Sequence, residues 1–272
     1  MRIAKSVIVL FTFLGVTASY GQQQTADPSI SRPSVAPPAK DRFHIYLLMG
    51  QSNMVGRDTH KLDGQPEDSR ILDLTGDGRW VVAHDPLHED THLKPGVGPG
   101  LSFAREIVKA NPTITVGLVP CAVGGTPLKR WVKGADLYEK AVSRARLAKE
   151  AGVLKGVLWH QGEAETNNKD SAESYQARLA QMFKDLRADL GQPDLPIVVG
   201  QLGEFLSNSP EKYPFLDTVR DAIKQMPTAA PHVGYADSAG LTDKGDKLHF
   251  NADSQREFGV RYAKAMALLR KP

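Results

Sequence analysis

The chain has 272 residues, 41% of them hydrophobic, and a formal net charge of +3, which is ample for one domain with a sizeable core. Arg2 and Lys5 are the only charged residues among the first 21, so the rest carries +1, and a near-neutral chain without a basic stripe gives no case for a nucleic-acid partner. The single cysteine, Cys121, excludes an internal disulfide and, within the apolar run VGLVPCAVGG, reads as a buried thiol rather than a nucleophile.

Residues 1–21 have the layout of an export signal. Arg2 and Lys5 give a basic start, residues 6–16 are apolar, and Ser19 and Gly21 are small residues at the cleavage-determining positions. The apolar run is shorter than the roughly 20 residues a bilayer span needs. The expectation is a periplasmic or extracellular protein with no membrane attachment once the signal is removed; a retained anchor is the alternative. Residues 22–40, rich in Gln, Ser and Pro, read as a flexible leader. Residues 41–272 read as a single domain.

That domain opens with FHIYLLMGQSNMVG, an apolar strand ended by Gly50 and followed by a polar turn with Ser52 at the bend. Residues 58–70 read as loop. Short strands are expected at 71–74 and 80–83 around a Gly76-Asp77-Gly78 turn, then an irregular stretch at 85–100 with three prolines. His84, His88 and His92 recur every four residues, a metal-ligand spacing on a helix, but Pro86 and the intervening acids argue against a helix there. Helical spacing follows at 101–110, 138–151, 171–190 (closed by Gly191), 215–226 (stopped by Pro227) and 251–269, with Asn251 as N-cap. Apolar or β-branched strands are expected at 113–119, 154–159, 196–202 and 232–236. Strands alternating with helices predict right-handed crossovers and a mostly parallel α/β sheet covered on both faces.

Such a sheet gathers its strand ends on one edge. Three polar clusters follow strands: Gly50-Gln51-Ser52-Asn53, Gly124-Gly125-Thr126 and Gln161-Gly162-Glu163. A fourth, Asp246-Lys247-Leu248-His249, precedes the last helix. Acyl transfer needs a hydroxyl, a base, a group to orient the base, and donors for the developing oxyanion. Ser52, His249 and Asp246 supply the first three. The backbone N–H groups of Ser52 and Gly125, and the side-chain amide of Gln161, supply donors. Each part has a plainer reading: Asp-x-x-His as a local hydrogen bond, Gly-Gly as a tight turn, His160 as a packed neighbour of Trp159. Two rivals stand beside the esterase: a glycan-binding module without turnover, and a metal hydrolase using the three histidines.

The blocks GQSNMVGR, GVGPGLSFA, VPCAVGGT, LWHQGEAE and GDKLHF, in that order, resemble the carbohydrate esterase family six and sialate O-acetylesterase-like branch of the SGNH hydrolase superfamily. The resemblance implies a three-layer α/β/α, flavodoxin-like fold and a serine esterase removing acetyl groups from sugars. Acetyl-xylan or related acetylated oligo- and polysaccharides are the expected substrates, with O-acetylated sialic acid as the alternative, and neither metal nor organic cofactor is needed. It places Ser52 as nucleophile, Asp246 and His249 as the other triad members, Gly125 as backbone donor and Gln161 as side-chain oxyanion donor, where the wider superfamily has Asn. Met54 stands where a lipase-type Gly-x-Ser-x-Gly elbow would have its second glycine. Glu163 is expected to brace the Gln161 loop. Gln51, Asn53 and Gly124 are expected beside the catalytic groups, with Arg130, Trp131 and the 85–98 loop bordering the pocket.

Overall fold

The computed structural model describes residues 32–62, 67–89 and 93–269. The proposed signal and most of the leader lie outside them. One seven-stranded sheet, in the order β3-β2-β4-β1-β5-β6-β7, runs through the domain. Its strands are β1 (Phe43–Gly50), β2 (Ile71–Leu74), β3 (Trp80–Val82), β4 (Thr115–Pro120), β5 (Val153–His160), β6 (Ile197–Gly200) and β7 (Val233–Ala236). Every pairing is parallel except the β2–β3 hairpin at one edge.

β1 lies at the middle, between β4 and β5, which explains its continuous apolar run: a parallel strand covered on both faces has no polar side. Phe43, Ile45, Tyr46, Leu47, Leu48 and Met49 are all fully buried. Helices α2 (Gly100–Ala110) and α7 (Ala252–Leu268) pack together on one face. On the other lie α3 (Asp136–Ala151), α5 (Tyr175–Leu190) and α6 (Leu216–Ala229). The result is the expected three-layer α/β/α arrangement. A one-turn helix, α1 (Ser52–Val55), follows β1 directly, and a short α4 (Lys169–Glu173) precedes α5.

Three details differ from the sequence-based expectation. The helix expected over 171–190 is two, broken at Ser174, whose hydroxyl donates to the Asp170 carbonyl at 2.6 Å and competes with the backbone ladder. Pro227 does not stop α6. It removes only the bond its own nitrogen would make, and the last turn still closes through Ala230 N–H to the Met226 carbonyl at 3.0 Å. Part of the leader is also tied down: Ser34 pairs antiparallel with Val81, Val35 N–H donates to the Trp80 carbonyl at 2.8 Å, and Arg32 reaches the buried Asp73 carboxyl at 3.3 Å. The segment covers the exposed edge of β3. Gly191 closes α5 in the left-handed conformation, and the Asn251 side chain caps α7 by accepting Ser254 N–H at 2.8 Å.

Candidate active site

β1 and its neighbours β4 and β5 deliver three of the polar clusters to adjacent positions on the carboxyl edge. At Gly50 φ is +125°, and a Cβ there would sit 2.0 Å from the His160 carbonyl oxygen, so no other residue fits. Gln51 N–H donates to that same carbonyl at 2.8 Å, and the chain bends into α1. Ser52 opens the turn, where a backbone N–H has no partner within its own helix. Val123 N–H donates to the Gly50 carbonyl at 3.0 Å and so draws the Gly124-Gly125-Thr126 loop against the Ser52 turn. Gly125 is exposed with φ +69°, and nothing stands within 4 Å of where its side chain would be.

Ser52 Oγ is 3.1 Å from His249 Nε2, across 197 residues of sequence. His249 Nδ1 is 2.7 Å from Asp246 Oδ2. The other carboxylate oxygen accepts the backbone N–H groups of His249 at 2.8 Å and Leu248 at 3.0 Å, while Lys244 Nζ lies 3.1 Å from Oδ2. Burial alone pulls the Asp246 carboxyl upward. The donors from His249, Leu248 and Lys244 outweigh it and hold the group well below the usual carboxylate range. An ionised Asp246 makes Nδ1 the protonated ring nitrogen and leaves Nε2 free to accept the serine proton.

Asn53, 1% exposed, reaches across to the histidine loop. Its Oδ1 accepts Phe250 N–H at 3.1 Å, and its Nδ2 donates to the Leu248 carbonyl at 3.1 Å and to Glu163 Oε1 at 2.6 Å. Glu163 therefore braces the nucleophile turn rather than the Gln161 loop. Burial raises its carboxyl, but His160, 3.5 Å away, and Asn53 bring it below its ordinary value. The brace on Gln161 is Glu165, which the sequence reading did not single out. It takes one Gln161 amide hydrogen and also the Leu128 N–H at 2.6 Å, and burial pushes its own carboxyl up. Its signal in the sequence was the second acid of Gly-Glu-Ala-Glu, indistinguishable there from an exposed turn acid.

Gln161 itself is fully buried. Its second amide hydrogen goes to the Thr126 carbonyl at 3.3 Å, and the Tyr175 hydroxyl lies 3.0 Å from its Oε1. Gln51 is buried and Gly124 half-buried at the same rim. Trp131 does not border a pocket: it is fully buried, edge-on to Trp159 at 5.5 Å, with its Nε1 donating to Thr126 Oγ1 at 3.1 Å. It supports the Gly125 loop from behind. Arg130 turns away onto Asp136.

His84 Nδ1 lies 3.0 Å from the Asp85 carbonyl oxygen, His88 is buried, and His92 falls outside the described residues. Among the described residues no group of three or more His, Cys, Asp or Glu side chains is placed to hold a metal ion. Cys121 is buried, which pushes its thiol up and away from reactivity. His160 packs edge-on against Phe250 and Phe258.

A serine at the end of the central strand of an α/β/α sandwich faces an Asp-x-x-His loop just ahead of the last helix, the set of groups that a serine hydrolase needs. Residues 42–268 match the family model described as carbohydrate esterase, sialic acid-specific acetylesterase, and the chain belongs to that family. The probable carbohydrate esterase At4g34215 of Arabidopsis thaliana is 36% identical over 257 residues, which cover 88% of this chain and 95% of that protein. Its X-ray structure superposes with a TM-score of 0.74, covering 83% of this chain and 98% of that one. NanS shares the fold at 20% identity and a TM-score of 0.67, over 86% of this chain and 98% of its own. XAC1771, a carbohydrate acetylesterase from Xanthomonas citri, shares it at 21% and 0.63, over 81% of this chain and 55% of its own. The protein is a carboxylic ester hydrolase of the carbohydrate esterase class.

Proposed function

We propose that the protein removes O-acetyl groups from carbohydrates through an acyl-enzyme, with Ser52 as nucleophile, His249 as general base and then acid, and Asp246 orienting the imidazole. The observation that carries this is the continuous run from Asp246 through His249 to Ser52 Oγ, at 2.7 and 3.1 Å. His249 takes the Ser52 proton as Oγ attacks the acetyl carbonyl. The oxyanion is received by the N–H groups of Ser52 and Gly125, and Gln161 joins them by exchanging its 3.3 Å contact with Thr126 for the oxyanion. Losing one such donor costs roughly 3–4 kcal/mol in the barrier. His249 then gives that proton to the departing sugar oxygen as the tetrahedral intermediate collapses to the acetyl-enzyme, and water repeats the cycle to release acetate.

Acetylated plant glycans such as acetyl-xylan oligosaccharides are the proposed substrates. The family description favours a second reading, O-acetylated sialic acid. The basic-then-apolar start of the sequence supports export to the periplasm or beyond. Acetate release across a panel of acetylated xylo-oligosaccharides and O-acetyl sialic acid tests the assignment. One class is turned over, and Ser52→Ala, with an unchanged circular dichroism spectrum, turns over none. Full activity in that variant would remove Ser52 from the role.

A further inference from the structure

Beyond the triad itself, the geometry points to Asn53 as the residue that sets the distance between nucleophile and base; we infer that it is a positioning residue for His249, with Glu163 as its anchor. The inference rests on the triad reading above.

The side-chain amide of Asn53 has three polar partners, and they assign its orientation. Nδ2 faces two acceptors, Glu163 Oε1 at 2.6 Å and the Leu248 carbonyl at 3.1 Å, while Oδ1 faces a donor, Phe250 N–H at 3.1 Å. Leu248 and Phe250 are the residues on either side of His249. One amide therefore grips the peptide groups flanking the histidine and fixes its Cα from both sides. Asn53 is also covalently next to Ser52, and Gln255 Nε2 pins its own carbonyl at 2.9 Å. Through this one side chain the turn that carries Ser52 is bonded to the backbone on both sides of His249.

Glu163 makes the grip directional. Its carboxylate is buried, with Oε1 taken by Asn53 and 3.5 Å from His160 Nε2. A charge-assisted donor bond of this kind is shorter and stronger than a neutral one, and it holds the amide plane so that both backbone bonds to the histidine loop remain in line. Asp at position 53 would keep the shape and lose the grip: the oxygen in place of Nδ2 would face the Glu163 carboxylate and the Leu248 carbonyl, while the other still accepts Phe250 N–H. The polar atoms of the Asn53 side chain are bonded to Glu163 and to the backbone on either side of His249, so it acts through His249.

The test is a double-mutant cycle on p-nitrophenyl acetate with the full chain, thermal melts recording folding alongside. Asn53→Ala lowers kcat about 100-fold with KM nearly unchanged, the cost of a base displaced by about an ångström. In the His249→Ala background the same change has no further effect on the residual rate. Asn53→Asp is as impaired as Asn53→Ala, and adding Glu163→Gln, which returns a donor to the pair, recovers part of the loss. Should Asn53→Ala fail to fold, Asn53→Asp with and without Glu163→Gln carries the same comparison. The proposal is overturned if a folded Asn53→Ala keeps wild-type kcat, if its effect is undiminished without His249, or if Glu163→Gln leaves Asn53→Asp no better. Activity surviving in Ser52→Ala would instead overturn the triad reading, whatever Asn53 does.

Discussion

Asp246 sits at the exposed side of the site, yet four donors converge on it: two backbone N–H groups, the imidazole and the Lys244 ammonium. In the proposed mechanism a carboxylate so held orients the ring to present Nε2 to the serine and stabilises the imidazolium that forms. Asp246→Asn keeps the shape and supplies a donor where Nδ1–H needs an acceptor. Turnover of p-nitrophenyl acetate is expected to fall by about 10³-fold or more while KM changes little; a rate within a factor of a few of wild type would contradict the orienting role. The meeting of Ser52, His249 and Asp246 was legible in the sequence because each carries a local cue: a strand ended by glycine before Ser52, and a three-residue spacing from Asp246 to His249. What surrounds it was not legible. Glu163 and Glu165 are two residues apart on one short 3-10 turn and serve different partners, Asn53 and Gln161. Trp131, beside a charged Arg130 after a glycine loop, read as a rim residue, and only its contact with Trp159 reveals it as core.

Among the elements, the β1–α1 junction is tightly constrained. Gly50 meets the β5 carbonyl of His160 where no Cβ can go, and its φ is strained for any other residue. Gly50→Ala is expected to destabilise the fold by about 3 kcal/mol through overpacking and backbone strain together, read as a lowered midpoint in urea; an unchanged midpoint would show that the junction relaxes. The sheet edge makes a pH-dependent prediction. Asp73 on β2 is buried beside Arg32, and burial pushes its carboxyl up from 3.8 to about 7. A folded-state value above the unfolded one means stability fully present below about pH 4 and lost as pH rises toward 7. Asp73→Asn removes that loss, so the variant gains on wild type by up to about 1.4 kcal/mol per pH unit across this window. Asp85, also buried and raised to about 7, leaves a slope of the same sign in the variant. Parallel stability curves for the two proteins would contradict it. No pattern in the sequence announced this edge, because a Gln/Ser/Pro-rich leader gives no periodicity to read, and the pairing of Ser34 with Val81 depends on a strand far along the chain.

At the scale of the whole molecule, alternation of strands and helices was enough to predict layers, parallel pairing and the convergence of loops on one edge. The strand order was not, since it depends on which crossovers go left and which go right. That order matters for the proposed chemistry: with β4 and β5 flanking β1, the Gly125 loop and the Gln161 turn arrive on opposite sides of Ser52. The histidine comes from the far end of the chain, where α7 packs against α2 and the Asn251 cap fixes the start of the helix. The proposed function is a property of how distant segments are brought to one edge, with a reactive Ser52 hydroxyl as its expected product. Treatment with a fluorophosphonate, followed by peptide mass spectrometry, measures that directly. One covalent adduct on Ser52 is predicted, lost in His249→Ala; an enzyme that hydrolyses acetyl esters at full rate with Ser52 unlabelled, or labelled just as fast without His249, would contradict the account.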